Sequence, residues 1–234
     1  MAYDEEFRLL FDDPLDIDEE RISESTRGDA ILGDKDVPVL KRPNRVALGL
    51  GAVDRRGHLP GQEGLSCYDI PLRCVLHPAP GCHFISARLV VDLNPDRQKP
   101  VVLVRDMTPR EVKGDNPVEV TTTVSAHLTF DIIPHVLSTN AGREQATTRT
   151  VHYPLVTTSG KGFHKAVWNF TSAPGQYLHA EREMRLLVSA PKGMKVSASF
   201  NLRAQISLDG LAGKIALLRK RGEIGKRYTI IDAV

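Results

Sequence analysis

The densest group of side chains that could bind a metal lies between residues 67 and 83 of this 234-residue chain. Its members are Cys67, Cys74, His77, Cys82 and His83. Thiolate and imidazole groups suit tetrahedral zinc, but compact zinc sites use ligand pairs two to four residues apart, and only Cys74 with His77 fits. Odd spacing along a strand would send these two side chains to opposite faces. The five residues are kept as metal candidates, but buried thiols and loop histidines explain them better, and no cofactor is expected.

Sequence patterns typical of enzymes are missing. There is no Gly-x-Ser-x-Gly elbow, and the run 159–162 (Ser-Gly-Lys-Gly) lacks the glycine spacing and the following helix of a phosphate-binding loop. Among eight histidines, His127 is the strongest candidate for a general base, because an alternating strand would place it on the same face as Thr129 and Asp131. A solvated sheet histidine is the simpler explanation. No catalytic residue is assigned, and the enzyme question stays open with a preference for a non-enzyme.

Several apolar and basic side chains are candidates for a protein interface. They are Phe7, Leu10, Phe11, Trp168, Arg219, Lys220 and Arg221. The first three would share one face of a short helix at residues 4–11, and the tryptophan either anchors the core or forms an interface hot spot. The basic run could contact nucleic acid or an anionic membrane surface, but no base-stacking aromatic pair accompanies it. We therefore expect a protein partner or self-association rather than nucleic acid or a membrane.

The charges of the chain are unevenly distributed. Residues 1–36 hold thirteen acidic and four basic side chains, a net charge of −9, while the remainder holds 27 basic and 16 acidic ones, a net charge of +11. An acidic segment ahead of a basic body can solvate the chain, fold back on it, or dock on another copy. The prediction is an acidic N-terminal arm at residues 1–44, followed by one domain at 45–234.

The cysteine count and the N-terminal residues bear on the cellular compartment. Three cysteines cannot all pair internally, and this odd number suits a reducing environment. Three of the first six residues are acidic, and this segment does not resemble a secretory signal. No apolar run reaches the length of about 20 residues that spans a bilayer. The expected location is cytoplasmic.

Two long segments alternate between apolar and polar residues. In 118–130 and in 196–208, apolar side chains occupy the even positions, apart from Thr122, and polar ones occupy the odd positions. Successive side chains of a strand point to opposite faces, so this period indicates strands with one buried and one wet face. Seven shorter strand candidates and turn-rich stretches lie between the arm and residue 190. Near the C-terminus, Leu211, Ile215 and Leu218 fit one face of a short helix.

The fold predicted from these patterns is all-β. It is an antiparallel two-sheet β-sandwich, jelly-roll or immunoglobulin-like, with a partly extended acidic arm and a short C-terminal helix. The predicted function is a non-catalytic binding or assembly module that uses its frame and its arm for protein contacts, with self-assembly as one form of such contact. Two alternatives stay open: a hydrolase or metal-dependent enzyme built from separated His and Asp residues, and a structural coat- or matrix-like protein.

Overall fold

The computed structural model describes residues 7–17, 43–59, 62–95, 102–125, 128–132, 145–173, 175–178, 181–209, 214–219, 223 and 225–232. These residues form fourteen strands and no helix. In chain order the strands are β1 (Arg8–Ile17), β2 (Asn44–Leu50), β3 (Asp54–Leu59), β4 (Gln62–His77), β5 (Cys82–Asp92), β6 (Leu103–Thr108), β7 (Glu111–Ser125), β8 (Leu128–Ile132), β9 (Gln145–Ser159), β10 (Lys165–Thr171), β11 (Glu181–Pro191), β12 (Val196–Leu208), β13 (Ile215–Arg219) and β14 (Arg227–Ile231).

All fourteen strands belong to one antiparallel sheet. Its order is β6-β11-β4-β2-β1-β13-β12-β5-β10-β9-β7-β8, with β3 beside β4 and β14 beside β12. On one side of β12, β14 pairs with residues 196–199 and β13 pairs with residues 203–206. The two short strands therefore share one side of a long one.

The sheet curves until β6 comes close to β10. The amide of Val104 in β6 donates a hydrogen bond to the carbonyl of Phe163 at 2.9 Å, and the amide of Gly162 donates to the carbonyl of Val104 at 2.8 Å. Both partners of Val104 lie in the turn that leads into β10. The described strands therefore make a nearly closed, barrel-like sheet.

Alternating side chains of the strands fill the interior of this sheet. The pattern predicted for residues 196–208 is confirmed, since β12 alternates between buried and partly exposed residues along most of its length. Phe200 and Leu202 of β12 pack in one core with Trp168 and Phe170 of β10. The opposite face of the same strands stays accessible and carries mostly polar side chains, which is what period-two alternation predicts.

The predicted two-sheet sandwich is wrong. Alternation within a strand identifies a buried and a wet face, but it does not say whether the strands divide into two sheets. Here they form one sheet, and its curvature encloses the core that a second sheet was expected to cover. The class, all-β and antiparallel, is confirmed.

Both predicted helices are wrong within the described residues. The segment expected as an N-terminal helix enters β1, which pairs with β2 and β13, and Pro14 lies inside that strand rather than ending a helix. Residues 215–219 form β13 rather than a helical face, whereas Leu211 lies outside the described residues. Strands distant in sequence hydrogen-bond these segments, and such pairing overrides the local apolar spacing.

The alternating run at 118–130 does not form one strand. β7 ends at Ser125, and β8 begins at Leu128, which is the register partner of Ser125 in the antiparallel pair β7–β8. The chain therefore reverses direction within the run. A hairpin can preserve apolar alternation on both of its strands, so the pattern alone did not reveal the reversal.

Candidate functional site

The five metal candidates do not come together. Cys67, Cys74 and Cys82 are buried free thiols, and burial raises the pKa of Cys74 to about 12. His77 is exposed, whereas Cys74 three residues earlier faces the core, as the odd spacing along the strand predicts. Among the described residues, no three His, Cys, Asp or Glu side chains gather where they could hold a metal ion. His127, the candidate base, lies outside the described residues.

The apolar interface candidates pack within the fold. Phe11 and Trp168 are buried, and Leu10 packs against the core. The ring of Phe7 is partly buried and lies under the guanidinium of Arg73, whose Cζ is 4.1 Å from the ring centroid. Of this group, Phe11 and Trp168 do not present an aromatic surface to a partner.

Arg219 of the predicted basic run is completely buried. Its Nε and Nη2 donate to Oδ2 of Asp13 at 2.7 and 2.6 Å, Nη1 donates to the carbonyl of Phe200 at 2.7 Å, and Nη2 also donates to the hydroxyl of Tyr228 at 2.8 Å. Its Cζ lies 3.6 Å from the centroid of the Phe11 ring. Arg219 thus links β1, β12, β13 and β14 as a structural residue. Lys220 and Arg221 lie outside the described residues.

A polar cleft opens on the outward face of β5, β10 and β12. Its volume is about 530 Å³. The polar side chains that line it are Ser86, Arg88, Asn169, Thr171, Asn201, Arg203 and Gln205. No carboxylate is among its described lining residues. The cleft therefore combines two cations with neutral amides and hydroxyls.

The two arginines of the cleft face each other across neighbouring strands. Arg88 of β5 and Arg203 of β12 are direct register partners, and both are exposed. Neither guanidinium has an ion pair or a hydrogen bond within the described part of the chain. Like charges directly opposite each other in a sheet are destabilising, so this arrangement has an electrostatic cost that a bound anion would relieve.

Neutral polar groups surround the arginine pair. Asn169 of β10 is the register partner of Arg88 on its other side, and Ser86 Oγ donates to Gln205 Oε1 at 3.1 Å. The Oδ1 atom of Asn201 is buried, and no hydrogen-bond partner for it is found among the described residues. A buried acceptor without a partner is costly, so this side of the cleft carries an energetic penalty.

The sequence patterns do not single out Arg88 and Arg203. Arg203 occupies a polar position in the predicted strand at 196–208, and Arg88 lies in a shorter strand candidate at 83–93. Two arginines on wet faces are ordinary in a sheet. Their significance depends on the β5–β12 register, which places them opposite each other, and no local pattern contains that register.

An aromatic pair lies near the cleft. The rings of His83 and Tyr177 are stacked, with centroids 3.9 Å apart and an interplanar angle of 10°. Nε2 of His83 is 2.9 Å from Oδ1 of Asp209, which orients the imidazole. The amide of Leu178 donates to the carbonyl of Phe84 at 2.7 Å and so holds the Tyr177 backbone beside β5. His83, a metal candidate from the sequence, is therefore part of an aromatic platform.

Comparisons with known proteins yielded matches among solved structures alone. No protein-family model matches the sequence, and no curated protein matches it significantly. Among the solved structures, Clostridium perfringens delta-toxin is 11% identical, with a TM-score of 0.36 over 80% of this chain and 82% of that one. The Clostridium perfringens NetB toxin in the membrane inserted form is 6% identical, with a TM-score of 0.33 over 80% of this chain and 88% of that one. Scores and identities this low establish neither a shared architecture nor a shared activity.

The expected cytoplasmic location gains no support from the structure or from these comparisons. No described segment forms a helix of the length and apolarity needed to cross a membrane.

Proposed function

We propose that this protein is a non-catalytic binding module that takes an anionic group in the cleft between Arg88 and Arg203. One observation carries the proposal. The two guanidinium groups are direct cross-strand neighbours, exposed, and without a carboxylate among the lining residues. Guanidinium groups bind carboxylates, sulfates and phosphates through paired, charge-assisted hydrogen bonds, and two such groups on one rigid sheet are already positioned for an oxyanion.

The composition of the lining supports binding rather than catalysis. Around the arginines lie the amides of Asn169, Asn201 and Gln205 and the hydroxyls of Ser86 and Thr171. These groups orient a polar ligand through hydrogen bonds. No observation on the described residues favours the hydrolytic or the coat-like alternative over this assignment.

Two acidic side chains of the predicted N-terminal arm form ion pairs within their own chain. In the described part of the acidic segment, Asp12 pairs with Arg45 and Asp13 pairs with Arg219 of the same chain. These two charges serve the fold itself. A protein partner or a homo-oligomer stays a prediction.

The test uses sulfate as the probe. Isothermal titration with sodium sulfate, against sodium chloride at matched ionic strength, should show saturable sulfate binding to the native protein. Arg88→Gln and Arg203→Gln should each abolish it. Lys192→Gln, which removes an exposed charge on the β11–β12 turn, is the matched control and should bind as the native protein does. Equal responses from all four proteins would refute the site.

A stability measurement separates a binding role from a structural one. If the arginines repel each other in the free protein, Arg203→Gln should leave stability unchanged or raise it by about 0.2–1 kcal/mol in sulfate-free buffer. If Arg203 instead stabilised the fold, the Arg203→Gln variant would be less stable than the native protein. Chemical unfolding without sulfate gives this comparison, and a clear destabilisation by Arg203→Gln would contradict the proposal.

A further inference from the structure

The outward face that carries the cleft continues to the aromatic pair. Along β12, Arg203, Gln205 and Ser207 lie on this face, and Ser207 is the register partner of His83 in β5. Directly opposed residues of an antiparallel pair project to the same side, so His83 shares the face with Arg203. Four residues of strand separate the two register pairs, a distance of about 13 Å.

Tyr177 offers an aromatic surface at that end of the face. One side of its ring is stacked on His83, yet 55% of the residue is exposed. The His83–Asp209 contact and the Leu178–Phe84 hydrogen bond hold the stack in place. An exposed aromatic ring with a fixed orientation is suited to stacking against a flat or ring-shaped ligand group.

The polar groups between the two ends are neutral. Beyond the Arg88–Arg203 pair, the next pair along the strands is Ser86 with Gln205, flanked by Thr171, and the one after it is His83 with Ser207. The cations of the cleft are therefore confined to one register pair of β5 and β12. A ligand that matches this pattern has one acidic group, an uncharged hydrogen-bonding body, and a ring at the far end.

This charge pattern distinguishes between two classes of polymer. A nucleic-acid strand carries one negative charge per nucleotide, so it would bring further phosphates over the uncharged amides and hydroxyls without cations to pair them. A short glycan with a single acidic substituent has hydroxyl groups in that stretch. The amide of Gln205 and the hydroxyls of Ser86 and Thr171 are suitable partners for them.

We infer that the ligand of this face is an acidic oligosaccharide. Its carboxylate or sulfate ester lies between Arg88 and Arg203, its hydroxyl groups contact the neutral polar side chains around Gln205, and a further sugar ring packs on Tyr177. The inference rests on the proposed function of the arginine pair and adds the class of ligand to it.

The experiment compares four probes by isothermal titration: 3′-sialyllactose, lactose 3′-sulfate, unmodified lactose and oligothymidylate. We expect the two acidic sugars to bind and lactose to bind at least about tenfold more weakly. Tyr177→Ala should weaken both acidic sugars about tenfold while the affinity for inorganic sulfate is unchanged. The matched control is Phe163→Ala, which removes an exposed aromatic side chain at the opposite end of β10 and should change neither affinity.

The outcomes separate the two proposals. If sulfate binds through the arginines but Tyr177→Ala leaves the sugars unaffected, the glycan inference is overturned and the anion site stands. Tighter binding of oligothymidylate than of either acidic sugar also overturns it, in favour of nucleic acid. If the native protein does not bind sulfate, both the anion site and the glycan inference are overturned. Preference for the sialylated or for the sulfated sugar decides which acidic group the site selects.

Discussion

The guanidinium of Arg219 and the carboxylate of Asp13 meet across 206 residues of chain, with Nε and Nη2 of the arginine 2.7 and 2.6 Å from Oδ2. Arg219 has no exposed surface, and Asp13 is 17% exposed. The pair joins β1 to β13. It lies near the position on β12 at which the partner strand changes from β13 to β14. A fully buried guanidinium is tolerated because its charge and its N–H groups have partners.

Removal of Asp13 should therefore destabilise the protein strongly. Asp13→Ala leaves the buried charge of Arg219 without its counter-ion, and we expect a loss of about 3–5 kcal/mol. The matched control is Asp12→Ala at the neighbouring position. Asp12 forms an exposed pair with Arg45, and its removal should cost less than about 1 kcal/mol. Urea unfolding monitored by circular dichroism measures both, and equal losses would show that the buried pair has no special weight.

The turn before β10 should be intolerant of a side chain at Gly160. This residue has φ of +122°, and a Cβ built there would lie 1.9 Å from the carbonyl oxygen of Lys165. Gly160→Ala must therefore distort the backbone that hydrogen-bonds to Val104 in β6. Thermal unfolding should show a markedly lower midpoint, and hydrogen exchange should show faster exchange at the Val104 amide.

Gly162→Ala is the control for this prediction. Gly162 also has a positive φ, +85°, but its Cβ would enter open space. Its substitution should cost only the left-handed backbone strain, about 1–2 kcal/mol. A Gly160→Ala variant no less stable than Gly162→Ala would contradict the steric explanation.

Trp168 should behave as a core residue whose N–H group contributes little. It is fully buried, and its Nε1 has no hydrogen-bond partner within the described residues. Trp168→Ala should cost about 3–5 kcal/mol through the cavity it leaves. Trp168→Phe should cost clearly less, because no hydrogen bond is lost. Exposed Phe163→Ala serves as the control and should stay within about 0.5 kcal/mol of the native protein.

The fluorescence of the single tryptophan gives an independent check. Its emission should be shifted to the blue in the native state and move to longer wavelength on unfolding. Resistance to quenching by iodide should accompany the blue-shifted emission. Native-state quenching as strong as that of the unfolded chain would place the ring at the surface and contradict its burial.

Asp106 should contribute to acid sensitivity at the β6 edge. A hydrogen bond from Arg110, with a further one from the Met107 amide, lowers the pKa of Asp106 below its ordinary value of 3.8. A folded-state pKa below the unfolded one means that the stabilisation is present above about pH 3.8 and is lost as pH falls through the folded-state value.

Unfolding midpoints between pH 2 and pH 6 test this linkage, over a range of roughly two units on each side of the usual aspartate pKa. Asp106→Asn should be less stable than the native protein at the upper end and approach it at the acidic end. Arg110→Gln removes the largest cause of the lowered pKa of Asp106. This variant should therefore also be less stable than the native protein at the upper end of the pH range and approach it at the acidic end. Parallel curves at all pH values would exclude a role for this carboxylate in acid unfolding.

The strand character and much of the core follow from local sequence patterns. Phe200, Leu202 and Trp168 follow a period of two, and this period depends only on the geometry of one extended chain, so it can be read without knowing any neighbour. The glycine-rich turn at 159–162 was also predictable, because positive φ angles favour glycine locally.

The closure of the sheet, the strand at β1 and the candidate site depend on pairing between distant segments. Pro14 and the apolar spacing around Phe11 favour a helix that ends at the proline, yet β2 and β13 supply hydrogen bonds that make this segment a strand. Arg88 and Arg203 become a site only through the β5–β12 register. Register is a relation between segments more than a hundred residues apart, selected by the packing of the whole core, and a sequence pattern that reports one segment at a time does not contain it.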